Sequence, residues 1–369
     1  MKKTKLVLAS VLKPVDDTRM FEKFGVSSDQ TNKYEINIIG FSSKNIPANE
    51  NISFHPIFNF KRLSLKRLLA PWKYYILLFK LKPELIIVNT HELLIVSVLY
   101  KILFGVKLLY DVQENYWSNI VYTNTYVWPL KYLVAAKVRF VEWISSPFIN
   151  TFFLAEKIYE REIPFLGKRY VTIQNKCRVL HDLQRTRAAD NKIRLVYTGT
   201  ISEHYGIFNA IRLTKILHQL DSRIELHIIG YCAKSSVLRQ IKARLRDIDY
   251  IELSGGDHLV PHSDILQAVL NADFGLVPYE PNISTKNRFP TKIFEYLAYK
   301  LPMIIHHNPA WVDYGKQYNA CISIDYHHIY GQEVFQKMLQ TEFYQAVSPN
   351  DIHWESEEKK LLDTLENLI

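Results

Sequence analysis

The chain has 369 residues, 48% of them hydrophobic, and a formal net charge of +9 at pH 7. This length and apolar content predict two packed domains, while 12 Gly and 15 Pro exclude a low-complexity chain. The positive charge favours anionic partners such as phosphates or a membrane surface. No segment has the roughly 18 uninterrupted apolar residues that a membrane span needs, so a soluble or peripheral protein is expected.

Three cysteines, Cys177, Cys232 and Cys321, are widely spaced and match no metal-binding pattern. Unpatterned cysteines are typical of a reducing compartment, so the expected location is cytoplasmic. The basic residues lack a motif that reads a nucleic-acid groove, and no nucleic-acid partner is expected.

The first half of the chain alternates strand patterns with helix patterns. Strands are predicted at residues 5–10, 34–41, 52–55, 85–89, 106–112, 151–154 and 170–173. Helices are predicted at residues 18–24, 64–81 and 92–104. This alternation is typical of a parallel sheet with helices on both faces.

A polar stretch at residues 180–192 shows no strand pattern and is interpreted as a linker. A second alternating unit follows it, with strands predicted at 193–197, 224–229, 250–254, 274–278 and 303–305. Helices are predicted at 207–220, 263–270, from 290 onward and at 355–369. The two halves share one architecture, which predicts domains at 1–182 and 183–354.

The strongest motif is the segment 287–305, which reads NRFPTKIFEYLAYKLPMII. Pro290 suits the first turn of a helix, and Pro302 ends that helix before a buried strand. The positive end of the helix dipole predicts an anion site, to which nearby side chains contribute: Lys286, Arg288, Thr291 and Lys292. Glu295, one turn further on, can accept two hydrogen bonds from a vicinal diol such as a ribose. An ordinary amphipathic helix with solvated charges is the alternative.

Five positions of this segment resemble, in order, the nucleotide-sugar motif of retaining GT-B glycosyltransferases of the family 4 type; they are Pro290, Lys292, Glu295, Tyr296 and Pro302. The resemblance implies an α/β fold of two facing Rossmann-like domains with parallel sheets and an interdomain cleft. The first domain would bind the acceptor and the second the nucleotide-sugar donor. The helix at 355–369 would pack back on the first domain.

The implied activity is that of a retaining, hexosyltransferase-like enzyme of bacterial surface-polysaccharide or glycolipid synthesis. It would move a sugar from a nucleotide-diphosphate sugar to a hydroxyl of a glycan or a lipid-linked acceptor. No cofactor is implied, and no metal, since no Asp-x-Asp stands at a strand end in the pattern that metal-dependent sugar transferases use.

The resemblance places donor contacts in the loops after the strands of the second domain; besides the motif, they are Thr198, Gly199, Thr200, Gly230, Tyr231 and Leu259. Thr200 and Tyr205 stand where relatives often have an Arg and a Lys, which shifts the diphosphate contact to Lys292 and Arg288. Asn287 stands where a carboxylate commonly touches the donor sugar. In the alternative, these loops are ordinary strand–helix turns that bind no donor.

In the first domain, the segment at Asp17, Thr18 and Arg19 resembles one in relatives that act on bacterial surface sugars. Arg19 would face an anionic acceptor or the donor diphosphate; in the alternative, Asp17 or Thr18 only caps a helix. Gln113 stands where relatives often have a His that contacts the donor sugar. His91 and Glu114, which follow strands, are the acid or base candidates of this domain.

Residues 58–83 combine cations with aromatic side chains; they include Lys61, Arg62, Lys66, Arg67, Lys73, Lys80, Lys82, Trp72, Tyr74, Tyr75 and Phe79. A basic, aromatic helix can lie on an anionic membrane, which predicts peripheral attachment to the inner face of the membrane. A solvated surface helix is the alternative.

Two rival functions stay open. A nucleotide-sugar epimerase of the same fold would need no acceptor. A degenerate homologue would bind a sugar nucleotide without turnover, which the departures from the family pattern favour; these departures are Asn287, Gln113, Thr200 and Tyr205.

Overall fold

The computed structural model describes residues 3–43, 49–60, 64–122, 126–186, 190–280, 286–345 and 351–369. Lys61 and Arg62 of the predicted basic helix lie outside the described residues. No helix in the described ranges is long and apolar enough to cross a membrane.

The described residues contain two series of strands in chain order. The first series is β1 (Thr4–Pro14), β2 (Tyr34–Phe41), β3 (Ile52–Phe58), β4 (Leu85–Val88), β5 (Lys107–Val112), β6 (Thr151–Leu154) and β7 (Tyr170–Thr172). The second series is β8 (Ile193–Thr200), β9 (Ile224–Tyr231), β10 (Ile251–Gly256), β11 (Phe274–Val277), β12 (Met303–His306) and β13 (Cys321–Ile324).

Helices lie between most of these strands. A π-helical segment, Thr18–Gly25, precedes α1 (Val26–Gln30), and short 3-10 turns occur at Leu65–Leu69, His91–Leu93 and Ser146–Phe148. The further helices before β8 are α2 (Ala70–Leu81), α3 (Leu94–Phe104), α4 (Tyr116–Val121), α5 (Leu130–Ser145) and α6 (Tyr159–Glu162). Those after it are α7 (Ile207–Leu220), α8 (Ser235–Leu245), α9 (His262–Asn271), α10 (Thr291–Ala298), α11 (Pro309–Lys316), α12 (Gly331–Gln340) and α13 (Glu355–Glu366).

The chain divides into two compact units. The first unit contains Met1–Asn175 and Trp354–Ile369, and the second contains Lys176–His353. The division thus falls after Asn175 rather than at residue 182. Each unit is built on one sheet, with strand order β3-β2-β1-β4-β5-β6-β7 in the first and β10-β9-β8-β11-β12-β13 in the second.

Every pair of neighbouring strands in these two sheets runs parallel. The predicted α/β class, with a parallel sheet in each half, is therefore confirmed. Parallel strands need crossovers, and the alternation of strand and helix along the sequence supplies them.

The sheet of the first unit separates two cores, because alternate residues of a strand point to opposite faces. Val7 and Ala9 of β1 belong to one core, which also contains buried residues of α2 and α3. Leu6 and Leu8 belong to the other core, together with residues of the π-helical segment and of α13. The C-terminal helix α13 is therefore part of the first unit.

In each sheet the strands are added first toward one edge and then toward the other, and we call the strand at which this order turns the direction reversal of the sheet. β1 lies between β2 and β4, and β8 lies between β9 and β11. At such a point the connecting helices leave toward opposite faces, and a crevice opens beyond the carboxyl ends of the strands. The loops after β1, β4, β8 and β11 carry many of the predicted site residues.

The sequence interpretation omitted α4, α5, α6, α8, α11, α12 and β13. Helix α5 has apolar residues on its exposed as well as on its buried side, for example Leu133 and Val138, so it lacks a clear period. β13 has only four residues. Short or non-periodic segments of this kind give the weakest sequence signals.

Candidate functional site

The start of α10 is attached to the end of β8 in the second unit. The Lys292 ammonium donates to the Thr198 carbonyl at 2.6 Å. The Thr198 hydroxyl lies 3.0 Å from the Tyr296 hydroxyl. These two contacts bring the predicted helix start and the predicted strand-end loop together at the direction reversal of the sheet.

Glycines let the backbone segments around this point approach each other. Gly199 and Gly230 are paired in register, and a Cβ on Gly230 would lie 1.7 Å from the Gly199 carbonyl oxygen. Gly206 precedes α7 with φ near +73°, and a Cβ there would lie 1.9 Å from the Pro278 carbonyl oxygen. Side chains are thus excluded where the loops after β8 and β11 meet.

Lys292 is buried rather than displayed to solvent. Its side chain is 4% exposed, and its nitrogen lies 4.3 Å from the ring centre of Tyr197 and 4.8 Å from that of Tyr279. Burial lowers the pKa of Lys292 to about 7, although the Glu295 carboxylate acts in the opposite direction. The folded protein therefore releases this proton at a much lower pH than a solvated lysine would.

The other predicted residues of the motif lie around the start of α10. Asn287 and Thr291 are exposed, while Arg288 and Pro290 are partly buried. The Trp311 indole N–H donates to the Arg288 carbonyl at 2.7 Å. The loop before α10 is thereby held by the segment that follows β12.

Glu295 lies one turn into α10 and is partly exposed. Its carboxylate oxygen lies 3.3 Å from Nε2 of His262, the first residue of α9. The sequence interpretation did not identify His262, because its proximity to Glu295 depends on how α9 and α10 pack. Tyr231, the last residue of β9, and Leu259, in the loop after β10, are both exposed.

A cavity of about 650 Å³ lies beside β8, β9 and β10 along α9. Its polar wall includes His227, whose Nε2 lies 2.8 Å from the Ser254 hydroxyl. The cavity also reaches Gly255 and His258 of the loop that the resemblance assigns to the base. Lys292 and Glu295 do not line it.

In the first unit, Asp17 has a local structural role. Its carboxylate accepts from the backbone N–H groups of Arg19 at 3.1 Å and Met20 at 3.2 Å. It therefore caps the π-helical segment that begins at Thr18. The Lys13 ammonium lies 3.5 Å from the same carboxylate.

Arg19 forms a buried ion pair with Asp111. The Arg19 side chain is 3% exposed and that of Asp111 is 1% exposed, with Nη2 and Oδ1 2.6 Å apart. Arg19 also donates to the Ile173 carbonyl at 2.9 Å, and the Gln113 amide donates to Asp111 at 2.8 Å. Asp111 thus connects two predicted site residues, and the sequence interpretation did not single it out.

His91 and Glu114 both follow strands of the first unit, as expected. The His91 ring contacts the Tyr116 ring at 4.8 Å, and burial, together with the cations Arg67 and Lys137, lowers the pKa of His91 to about 3. His91 is therefore neutral at physiological pH and is a weak base. The Glu114 carboxylate accepts from the Asn119 amide at 2.9 Å.

One group of side chains in the described residues could hold a metal ion. His306 at the end of β12 and Asp325 and His327 after β13 offer ligand atoms within 4.8 Å of one another. Imidazole and carboxylate ligands suit zinc and related ions. The expectation that no metal takes part stays a prediction.

Comparison with protein-family profiles and with curated protein sequences gives no match. Solved structures do match along the whole chain, among them sucrose-phosphate synthase from Thermosynechococcus elongatus, at 12% identity and a TM-score of 0.73, with 99% of each chain covered. Anabaena HepE in complex with UDP-glucose matches at 12% identity and a TM-score of 0.67, covering 98% of this chain and 99% of that one.

A putative UDP-N-acetylglucosamine 2-epimerase from Listeria monocytogenes is also similar, at 11% identity and a TM-score of 0.64, covering 99% of this chain and 96% of that one. Identities this low establish the fold alone. The predicted GT-B fold is confirmed by these neighbours and by the two parallel sheets.

The Arg19–Asp111 pair predicts a large loss of stability when one partner is removed. Arg19→Met leaves a buried carboxylate without its counter-ion, so the free energy of unfolding should fall by about 3–5 kcal/mol. Urea unfolding followed by circular dichroism measures this loss. Lys13→Met is the control. Lys13 pairs with Asp17 and is more exposed than Arg19, so the free energy of unfolding should fall by less than about 1 kcal/mol. Equal effects of the two substitutions would contradict the structural role of Arg19.

The lowered pKa of Lys292 predicts a pH-dependent stability. In the unfolded chain the amine keeps its proton up to about pH 10.4, whereas the folded protein releases it near pH 7. The unfolded state then binds more protons than the folded state. The free energy of unfolding of the wild type should therefore rise by about 2 kcal/mol relative to that of Lys292→Met between pH 7 and 9.

Urea unfolding of both proteins at the two pH values measures this difference. Lys316→Met, at an exposed lysine of the same unit, should show no comparable pH-dependent difference from the wild type. If the wild type and Lys292→Met differ in free energy of unfolding by the same amount at both pH values, the buried amine keeps its proton over this range.

Proposed function

We propose that the protein is a glycosyltransferase that moves a sugar from a nucleotide-diphosphate sugar to a hydroxyl of a glycan or a lipid-linked acceptor, with retained configuration. The second unit binds the donor in this proposal, and the first unit binds the acceptor. The assignment to the family 4 type and the retention of configuration rest on the resemblance of the segment 287–305 to the nucleotide-sugar motif of that family. The reaction requires no cofactor and no metal in this proposal.

The observation that carries the proposal is the attachment of the α10 start to the end of β8. The Lys292–Thr198 hydrogen bond puts a helix N-terminus beside a glycine-containing loop at the direction reversal of the sheet. A helix N-terminus offers free N–H groups and a positive dipole end, which suit a diphosphate. The neighbour HepE was solved with UDP-glucose, a donor of the proposed class.

In this proposal, different predicted residues bind the ribose and the diphosphate of the nucleotide. Glu295, partly exposed on α10, binds the ribose hydroxyls, and His262 at 3.3 Å orients its carboxylate. The backbones of Gly199 and Gly230 and the hydroxyl groups of Thr200 and Thr291 line the path of the diphosphate. Further contacts of the donor come from Tyr231, Leu259, Arg288 and Pro290.

Lys292 supports the leaving diphosphate in this proposal, and its protonation depends on the substrate. A buried amine with a pKa near 7 gains a proton when a dianionic group approaches, because the anion stabilises the ammonium. The charge then becomes available where negative charge develops in the transition state. To reach a phosphate, the amine must exchange its hydrogen bond with the Thr198 carbonyl.

The first unit supplies polar groups for the acceptor in this proposal. Glu114 is the remaining candidate for proton transfer, because burial lowers the pKa of His91 so far that this residue is a weak base with no proton to donate at neutral pH. Gln113 and Asn287 contribute hydrogen bonds to sugar hydroxyls but no charge. Thr18 is placed with the acceptor, whereas Arg19 and Asp17 support the local structure through their internal contacts.

Two alternatives have specific support. The similarity to a putative 2-epimerase favours an enzyme that alters the sugar without an acceptor. The amide side chains at Asn287 and Gln113, together with the absence of a cation at Thr200, favour a binding protein without turnover.

A panel of sugar nucleotides separates the three functions. Purified protein is incubated with each nucleotide sugar, with and without candidate hydroxyl acceptors, and the products are resolved by chromatography and mass spectrometry. The proposal predicts release of the nucleoside diphosphate that increases with an acceptor. A changed sugar on an intact nucleotide would identify an epimerase, and binding without any product would identify a degenerate homologue.

The role of Glu295 predicts weaker nucleotide binding in Glu295→Gln. Loss of a hydrogen bond to a charged group costs about 1.5–3 kcal/mol, which raises the Kd of the nucleoside diphosphate roughly ten- to hundredfold. Calorimetry with the diphosphate selected by the panel measures this change. Glu333→Gln on α12, where the carboxylate pairs only with a surface lysine in the described contacts, is the matched control. Unchanged affinity in Glu295→Gln would place the ribose elsewhere.

A further inference from the structure

Exposed apolar side chains of the first unit are concentrated in one part of the chain. Of 26 exposed large hydrophobic residues in the described ranges, 20 lie between Leu65 and Phe148. Three of them are tryptophans, with Trp72 62%, Trp128 75% and Trp143 58% exposed. Scattered single apolar residues are normal on a protein surface, but a concentration of this kind marks an interaction surface.

These residues form stripes on three helices. On the Leu65–Leu69 turn and α2 the stripe recurs at helical spacing through Leu65, Leu68, Leu69, Trp72, Ile76 and Phe79. On α3 it comprises Ile95, Leu99, Ile102, Leu103 and Phe104, and on α5 it comprises Leu130, Leu133, Phe140 and Trp143. The spacing places each stripe along one side of its helix, except that Phe104, the last residue of α3, lies on the side opposite Ile95 and contacts Phe79 of α2.

The three helices lie on the same face of the sheet. Tyr74 and Leu78 of α2, Val98 of α3 and Val141 of α5 all contact the same core on that face. The exposed stripes are therefore on the outer surface of one helical layer. The rings of Phe79 and Phe104, 5.3 Å apart, connect the stripes of α2 and α3 directly. We call this surface, on residues 65–81, 94–104 and 130–145, the apolar layer.

The solvent-facing charges of the apolar layer have a single sign. Its three segments contain eight Lys or Arg residues and one acid, Glu142. Glu142 is buried and accepts a hydrogen bond from Tyr110 at 2.9 Å. The cations Lys66, Lys73, Lys80 and Lys137 are exposed. The solvent-facing charge of this layer is thus wholly positive.

We propose that the apolar layer docks on an anionic lipid bilayer, with its tryptophans and leucines inserted at the headgroup level and its lysines facing lipid phosphates. Amphipathic aromatic rings favour the membrane interface, and apolar burial adds to the attraction between cations and anionic lipids. A second protein surface is a weaker fit, because a protein partner would have to supply matching negative charge along three helices. The proposal concerns attachment and does not depend on the sugar-transfer activity.

Vesicle flotation of the purified full-length chain tests the proposal. The protein should float with vesicles of phosphatidylcholine mixed with phosphatidylglycerol, much less with phosphatidylcholine alone, and less again at high salt. The same vesicles should shift the tryptophan emission to shorter wavelength, since three of the six tryptophans lie in or beside the layer. No flotation with the anionic vesicles at low salt, or equal flotation with neutral vesicles, would overturn the proposal.

Two matched triple variants test whether vesicle binding requires the apolar layer or only exposed apolar residues anywhere on the protein. Trp72→Ser, Leu103→Ser and Trp143→Ser combined should remove most of the vesicle-bound fraction. The control combines Leu220→Ser, Tyr330→Ser and Leu339→Ser, which are comparably exposed residues of the second unit, and it should float like the wild type. Because all six side chains are exposed, circular dichroism and thermal unfolding should show both variants folded. Equal loss in both variants would contradict the assignment.

A second pair of variants tests the charges. Lys66→Gln, Lys73→Gln and Lys137→Gln combined should weaken flotation several-fold, whereas Lys242→Gln, Lys316→Gln and Lys359→Gln, at exposed lysines elsewhere, should not. Sedimentation of the wild type without lipid completes the test. A stable dimer that the apolar triple variant abolishes, with no vesicle binding, would assign the layer to a second copy of the chain and overturn the proposal.

Discussion

The crossover connection of parallel strands is the constraint on which both units depend. Each crossover places its helix on one face of the sheet, and the strand at the direction reversal keeps its carboxyl end uncovered. β1 and β8 are the strands at which this occurs. Thr198 and Lys292 are far apart in sequence, and they meet because the chain returns to the sheet beside β8. The candidate donor site is thus a consequence of strand order before any side chain is considered.

Arg19 and Lys292 are both buried cationic residues, but the chemistry of their side chains gives them different roles. Arg19 cannot lose its charge, so its burial requires the Asp111 carboxylate, and the pair acts as an internal anchor. Among the described residues, no carboxylate lies that close to Lys292, which is held instead by a carbonyl and two aromatic rings. A lysine can release its proton when buried. The first cation therefore belongs to the framework, and the second can respond to a bound anion.

The helices of the first unit satisfy two different requirements on their two sides. Their inner sides carry residues such as Tyr74, Leu78 and Val98, which fill the core. A helix facing water would carry polar residues on its outer side. The outer sides of α2, α3 and α5 are apolar and basic instead, so burial in the core does not explain them. Attachment to an anionic surface would explain the composition and, under the proposed function, would bring this unit close to a lipid-linked acceptor.

The amino-acid sequence by itself determined the features that depend on local periodicity. Alternating strand and helix patterns predict a parallel sheet in each half, because each pattern is set by neighbouring residues. The start of α10 near Pro290 and the capping alternative for Asp17 were predicted in the same way. The segment 287–305 carried the resemblance from which the GT-B fold was expected.

Only the tertiary structure decided which of these residues are displayed and which are buried. Lys292 was expected at a helix start that binds an anion, and only the structure shows that it is buried and that its amine donates to the Thr198 carbonyl, 94 residues earlier. Arg19 was expected to meet a ligand, but Asp111, 92 residues later, accepts its hydrogen bonds. Helix α5 lacked a usable period because both of its sides are apolar. In each case the outcome depends on contacts between distant segments, which the order of residues along one segment does not specify.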